Sequence, residues 1–243
     1  MTATERRQEI LNTISTEGSV RASDLAERLN VTTETIRKDL IFLNNKHLLK
    51  KGHGGAQAIN EFTERSLDVR AQENALAKRA IANCAIKQID DGSVVFVDAG
   101  STMVELAIIT NNLSVIPALL ESGNAIYFLG GEVSSVTQAT GGIWAANALK
   151  SIKIDVAFLG SSGFQSHSGP CTKMFSDAQL KRDVITSANK SVVLADHTKF
   201  STNAIMQYAD WSDVDVFITD AGASSDEIAT LERCVEVLVA GNE

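Results

Sequence analysis

VTTETIRKDLIFL, residues 31–43, has the periodicity of a helix with two unlike faces. Ile36, Leu40 and Leu43 recur at i, i+4 and i+7, the spacing of one buried stripe. Glu34, Arg37 and Lys38 fall on the other side. Thr32 stands where an N-cap belongs, its hydroxyl placed to accept from the first unpaired N–H groups. This helix is basic near its start, yet the 243-residue chain carries a formal net charge of −8. Residues 1–60 hold nine Lys and Arg against seven Asp and Glu, and the rest holds 13 against 23. A locally basic tip on an acidic protein reads as a small polyanion-binding module joined to something else. Charge alone would fit a solvated helix face equally well.

Upstream lie two shorter apolar periods. Ile10, Leu11 and Ile14 face inward on a helix over residues 4–15, which Glu17-Gly18 stops, glycine being the usual residue just past a helix end. Leu25, Ala26 and Leu29 face inward on a second helix over residues 22–29. Asn30-Val31-Thr32 then turns the chain into the 31–43 helix. This is the helix-turn-helix pattern, in which the later helix enters the DNA major groove with its N-terminal residues at the base edges. Thr33, Glu34, Thr35, Arg37 and Lys38 are therefore the residues expected at or near the bases, and Thr32, at the helix start, is counted with the DNA-binding set. Arg37 can pair two donors with guanine. Downstream, LLKKGHGGA (residues 48–56) predicts a β-hairpin wing. Its glycines let the backbone approach phosphates, Lys50 and Lys51 are placed to contact them, and His53 reads as a phosphate contact or a wing packing residue. No second histidine stands at ligand spacing from His53, so no metal site is expected.

Residues 57–72 show no apolar period and mix charges (Glu61, Glu64, Arg65, Asp68, Arg70), which predicts a linker over residues 59–73. A helix is expected over residues 74–88. Apolar runs then alternate with helical stretches: SVVFVDAG (93–100), AIYFLGG (125–131), IDVAFLG (154–160), SVVLADH (191–197) and VDVFITDAG (214–222). Near-continuous apolar runs suit strands buried on both faces of a parallel sheet. A helix over residues 176–188 lies between two of them. The second domain, residues 74–243, is expected to be α/β and mostly parallel. Glycines and small polar residues fall at the carboxyl ends of these runs, where open α/β sheets bind ligands. DAGST (98–102) opens the next helix and would present N–H groups and hydroxyls to an anion such as phosphate. Small residues after a strand often merely make turns, but several such ends together favour a pocket.

Other classes find little support. Three distant cysteines (Cys84, Cys171, Cys234) argue against a disulfide framework or a paired-cysteine zinc site and for reduced thiols. Neither a signal peptide nor a membrane-spanning run is found, so a cytoplasmic protein without a membrane partner is expected. There is no G-x-x-x-x-G-K-[ST], no G-x-G-x-x-G and no G-x-S-x-G. His167 and His197 are far apart, with no ligand partner near either in sequence. No cofactor is implied.

RRQEILNTISTEGSVRASDLAERLNVTTETIRKDLIFLNNKHLLKKGHGGA resembles the DNA-binding domain of the DeoR family of bacterial sugar-operon repressors. The match runs over residues 3–58, and T-I-R-K-D-L and H-G-G-A are its most specific parts. Arg21 departs from it, standing where the family often has a capping Ser; a weaker cap or an extra phosphate contact is expected. FVDAGSTMVELA, ITNNLSV, YFLGGEV, DVAFLGSSGF, LADHTKF and DVFITDAG are similar to the family's sensor-domain motifs. The resemblance implies a fold related to ribose-5-phosphate isomerase, glucosamine-6-phosphate deaminase and the CoA transferases, with a phosphorylated sugar or related metabolite as effector. It places Asp98, Gly100, Ser101 and Thr102 in a phosphate-side loop. Gly130, Gly131, Gly160, Ser161 and Gly163 would line the pocket, and Lys181, Asp196 and Lys199 would hold the sugar or phosphate. Without the family, Lys181 reads as a helix-surface lysine.

Two departures stand out. Residues 99–107 must make a whole crossover in nine residues, where parallel crossovers normally need about 10–12 or more. Either the helix is truncated or part of the natural chain is missing. Gly160-Ser161-Ser162-Gly163 stands where an acidic or Ala-containing version is common. The sequence thus predicts a transcriptional regulator, a repressor that leaves double-stranded operator DNA when a sugar phosphate binds, acting as a homo-oligomer on paired half-sites. Two alternatives stay open: an isomerase or deaminase carrying a DNA-binding domain, and an activator.

Overall fold

A computed structural model describes residues 1–45, 48–57, 73–98 and 107–241, in two compact units, Met1–Arg70 and Ala71–Glu243. In the first unit, α1 (Ala3–Glu17) opens with a reciprocal capping box between Thr2 and Glu5 and closes at Gly18, whose φ of 75° suits glycine. β1 (Ser19–Arg21), α2 (Ala22–Arg28), α3 (Thr33–Asn45), β2 (Lys50–Gly52) and β3 (Gly55–Gln57) follow. The strands form an antiparallel sheet in the order β1-β3-β2. Ile10, Ile14, Leu25, Ile36, Leu40, Leu43 and Leu49 close a core of their own, each worth about 1.5–3 kcal/mol of transfer free energy when fully buried. β1 has no counterpart in the sequence reading. It holds the wing against the helices, and Gly55 makes that possible: a Cβ there would stand 2.1 Å from the Val20 carbonyl oxygen.

The second unit begins with α4 (Ala75–Ile86) and continues through β4 (Val94–Val97), β5 (Ala107–Thr110), α5 (Ile116–Leu120), β6 (Ala125–Phe128), β7 (Glu132–Val133), β8 (Thr140–Gly141) and α6 (Ile143–Leu149). Then come β9 (Ile154–Gly160), β10 (Cys171–Thr172), α7 (Phe175–Ser187), β11 (Ala188–Leu194), β12 (Met206–Gln207), β13 (Val216–Asp220), α8 (Ser225–Leu231) and β14 (Glu236–Ala240). Seven of these strands form one wholly parallel sheet in the order β14-β13-β11-β9-β4-β5-β6. Successive strand residues feed opposite faces. Val95, Val156, Val192 and Val216 join Ile81 and Ala85 of α4 on one side. Phe96, Ala157, Val193 and Phe217 join Ala178 and Val184 of α7 on the other, where Phe164, Phe200, Trp211 and Phe217 pack edge to face.

The continuous apolar runs are therefore buried on both faces, with one correction. AIYF, expected to be enclosed, is the outermost strand β6, with Tyr127 57% and Phe128 38% exposed. A run of apolar residues marks a strand but does not say whether a neighbour covers it. The expected linker and the crossover between β4 and β5 fall largely on residues 58–72 and 99–106, outside the described residues, and so do Gly100, Ser101 and Thr102.

Candidate DNA interface and effector site

The outward face of α3 is set by what its inward face buries. Ile36, Leu40 and Leu43 are in the core, so Glu34, Arg37 and Lys38 are exposed. Thr32 Oγ1 accepts from the Thr35 N–H (3.2 Å) and lies 2.9 Å from the Thr35 hydroxyl, which fixes the start of the helix as expected. Among the described residues Arg37 pairs with Glu34, at 3.8 Å, with both side chains more than half exposed; such a pair is weak and readily exchanged for another partner. Thr33 and Thr35 are half-buried. Lys50, Lys51 and His53 are exposed on the wing, which Asn44 braces by accepting from the Lys51 N–H at 2.9 Å. Arg21 is exposed at the N-cap of α2 and makes no side-chain cap bond.

Asp39 is the exception on this helix. Its side chain is 2% exposed and takes Arg6 Nε (2.6 Å) on one oxygen and Arg7 Nε (2.8 Å) on the other. The Arg7 guanidinium also lies 3.7 Å from the centre of the Phe42 ring. These two arginines clamp α1 to α3, which withdraws them from the cations offered to DNA. Sequence spacing gave no sign of this, because the partners are over 30 residues apart.

In the second unit the strand order reverses between β4 and β9: β4, β5, β6 step one way along the sheet and β9, β11, β13, β14 the other. At such a switch point the flanking loops part and leave a crevice outside the carboxyl ends. Asp98 and Gly160 end these two strands. Asp98 Oδ2 accepts from the Gly160 N–H (3.1 Å) and from Lys181 Nζ (2.9 Å). Lys181, on α7, also donates to the Gly160 carbonyl (2.7 Å) and lies 3.7 Å from Asp177. Tyr208 donates to the same carbonyl at 3.0 Å, and Thr172 donates to Asp177.

Lys181 is thus a buried residue, 6% exposed, and not the surface lysine its helix position suggests. Burial alone would discharge it, but Asp177 and Asp98 hold its pKa above the ordinary lysine range. The Tyr208 hydroxyl is pushed up by burial and stays protonated, and the Cys171 thiol is pushed up by burial to about 12. At neutral pH Lys181 is therefore charged, and the Tyr208 hydroxyl and the Cys171 thiol are not.

Among the described residues, the other expected ones follow the carboxyl ends of strands of the same sheet. Ser161 Oγ is engaged within its own loop: it accepts from the N–H groups of Gly163 (3.3 Å) and Cys171 (3.2 Å) and lies 3.1 Å from the Cys171 carbonyl. Gly163, at φ 152°, passes so close to Thr202 that a Cβ would stand 2.2 Å from its carbonyl oxygen. Gly130 and Gly131 follow β6, two strands from β4. Asp196 is buried after β11; its Oδ1 accepts from the Thr198 N–H (3.1 Å), the Thr198 hydroxyl (2.5 Å) and Asn74 Nδ2 (3.1 Å), and Lys199 Nζ lies 3.9 Å from Oδ2.

The sequence reading missed Asp177, Tyr208, Asn74 and the pairing of His197 with Asp220 (Nδ1 to Oδ2, 2.8 Å). Asp177 could have been found, four residues before Lys181 on one helix face. The others come from distant parts of the chain. Among the described residues, no three His, Cys, Asp or Glu side chains group as a metal site, and no helix is long and apolar enough to cross a membrane.

Comparison with known proteins agrees with this architecture. The DeoR-like helix-turn-helix domain matches residues 6–62 and the DeoR C terminal sensor domain matches residues 73–221. A putative aga operon transcriptional repressor of Escherichia coli O157:H7 is 30% identical over 98% of this chain and 94% of its own length. The lactose phosphotransferase system repressor of Staphylococcus aureus is 29% identical over 96% of this chain and 98% of its own length. Ribose 5-phosphate isomerase A of Methanocaldococcus jannaschii is similar over 53% of this chain and 55% of its own, at 17% identity and a TM-score of 0.37, too distant to bear on chemistry. A DNA-binding unit and a small-molecule sensor stand in one chain. The protein belongs to the DeoR family of DNA-binding transcriptional regulators, homologous to repressors of sugar-utilisation operons.

Proposed function

We propose that this regulator represses a carbohydrate-utilisation operon and leaves its operator when a phosphorylated sugar occupies the crevice between β4 and β9. The observation that carries this reading is the Asp98–Gly160–Lys181 cluster, a buried charged group at the switch point of the sheet. In this reading Gly100, Ser101 and Thr102 take the phosphate, while Gly130, Gly131, Ser161 and Gly163 shape the walls. Asp196 and Lys199 meet the sugar. Lys181, already bonded to Asp98 and Gly160, holds those groups in place for the ligand.

On the DNA side, Thr33, Glu34, Thr35, Arg37 and Lys38 face base edges, and Arg21, Thr32, Lys50, Lys51 and His53 meet the backbone. The relatives named as repressors of the aga operon and of a lactose phosphotransferase system support the sugar connection. A homo-oligomer in the cytoplasm, reading paired half-sites of double-stranded DNA, fits the helix-turn-helix geometry. Release requires the ligand to prefer one of two global states of the protein.

The test is binding of the purified protein to its own upstream DNA, with and without pentose and hexose phosphates. Release by one sugar phosphate, with the matching free sugar inactive, is the expected result. Binding that no sugar phosphate disturbs would overturn the effector assignment and leave DNA binding standing.

A further inference from the structure

After β11 the chain turns through Asp196, His197, Thr198 and Lys199, and His197 is held on three sides. Its main-chain N–H donates to Asp220 Oδ1 (2.7 Å), and its ring Nδ1 lies 2.8 Å from Asp220 Oδ2. Gly222 donates to the same Oδ2 at 3.0 Å and lies close against the ring, where a Cβ would stand 2.4 Å from Nδ1 and 2.7 Å from Cγ. Asp220 itself is buried. An acceptor at Nδ1 makes that nitrogen the protonated one and leaves Nε2 with the free valence. Among the described residues Nε2 has no hydrogen-bond partner, and the side chain is 38% exposed.

A ring so fixed, with its outer nitrogen unused, is built to meet a partner that arrives from solution. We propose that His197 is a specificity-determining residue whose Nε2 hydrogen-bonds a hydroxyl of the effector at the end remote from Asp98. This rests on the reading of a sugar phosphate in the crevice. Charge selects the hydroxyl over a second phosphoryl group. Among the described residues, the carboxylates of Asp220 and Glu227 both act on His197, and Asp196 opens the same turn, against the cation of Lys199. That surrounding repels an anion and accepts a neutral, polar group. Distance fits as well: β11 lies two strands from β4, about 10 Å at the usual strand spacing, which is the reach of one sugar phosphate.

The experiment uses the full chain labelled with ¹⁵N. The protein has four histidines, and loss of a signal in His197→Gln assigns the His197 ring. Ribose 5-phosphate, fructose 6-phosphate, glucose 6-phosphate, galactosamine 6-phosphate, the free sugars and inorganic phosphate are titrated in turn. The expected result is that a sugar phosphate moves the His197 Nε2 resonance and inorganic phosphate does not. His197→Gln should raise the concentration needed for DNA release about tenfold, the loss of one ligand hydrogen bond, with ligand-free operator affinity unchanged. Gly222→Ala, which dislodges the ring without removing it, should do the same.

An unmoved Nε2 resonance, or wild-type release by both variants, would overturn the proposal. Release of the wild type and of His197→Gln at equal concentration would sink this inference alone and leave the sugar-phosphate reading intact. A free sugar that shifts Nε2, with no sugar phosphate releasing DNA, would do the reverse.

Discussion

Replacing Lys181 by Met would remove the buried ammonium that bridges Asp98 and Asp177. Truncating one partner of a buried ion pair typically costs about 3–5 kcal/mol, and the partial exposure of both carboxylates puts this case near the lower figure. A urea titration followed by tryptophan fluorescence should show that loss; a midpoint within error of the wild type would refute the clamp. Asp220 makes a different prediction. Burial pushes its carboxyl up, but donation from the His197 and Gly222 main chain and the His197 ring brings it below the ordinary range. A depressed folded value contributes stability above the unfolded pKa, near 4, and that stability is lost as pH falls through the folded value. Asp220→Asn should therefore flatten the acid limb of the stability curve, as thermal melts at stepped pH would record. Neither the Lys181–Asp98 nor the His197–Asp220 pairing was legible from sequence. Asp98 is 83 residues from Lys181 and Asp220 is 23 from His197, and residue type alone cannot say which distant side chains meet.

At the scale of elements, α3 was legible because its apolar stripe leaves only one face for DNA. Arg37→Ala is expected to cost about 1–3 kcal/mol in operator binding and to relax preference at one base position. Lys51→Ala should instead weaken binding evenly across sequences and lower the salt slope by about one. A filter-binding series over salt concentration and operator variants separates the two, and equal effects on specific and nonspecific DNA would remove Arg37 from the bases. Arg6 and Arg7 should add little to that slope, since Asp39 holds both. β1 escaped the reading because three residues are too few to show a strand period; it exists through pairing with β3. β6 was seen as a strand but misjudged as enclosed, because enclosure is a property of the neighbours. The strand-end motifs, by contrast, did bring residues together: Asp98 and Gly160, far apart in the chain, meet at the reversal of strand order.

At the scale of the whole molecule, the two units have separate cores. Ile36 and Leu40 share one with Ile10 and Leu25, while Phe96, Leu159 and Phe217 belong to another. Both tryptophans, Trp144 and Trp211, lie in the second unit. Fluorescence should therefore follow the sensor alone, while far-ultraviolet circular dichroism follows both units. Denaturant midpoints from the two probes should differ, and coincident curves would show that the units unfold as one. This division was visible in sequence as a change of period from helix-rich to alternating runs. It also sorts inherited lesions by position along the gene. Under the proposed repressor function, a codon change that spoils Ile36 or Leu40 should abolish operator occupancy and give constitutive expression. One that spoils Ala157 or Phe217 should, under the same proposal, leave the reading head folded but deaf to its signal, a non-inducible allele. A genetic screen on the natural carbon source would recover the first class only from the early codons and the second only from the later ones.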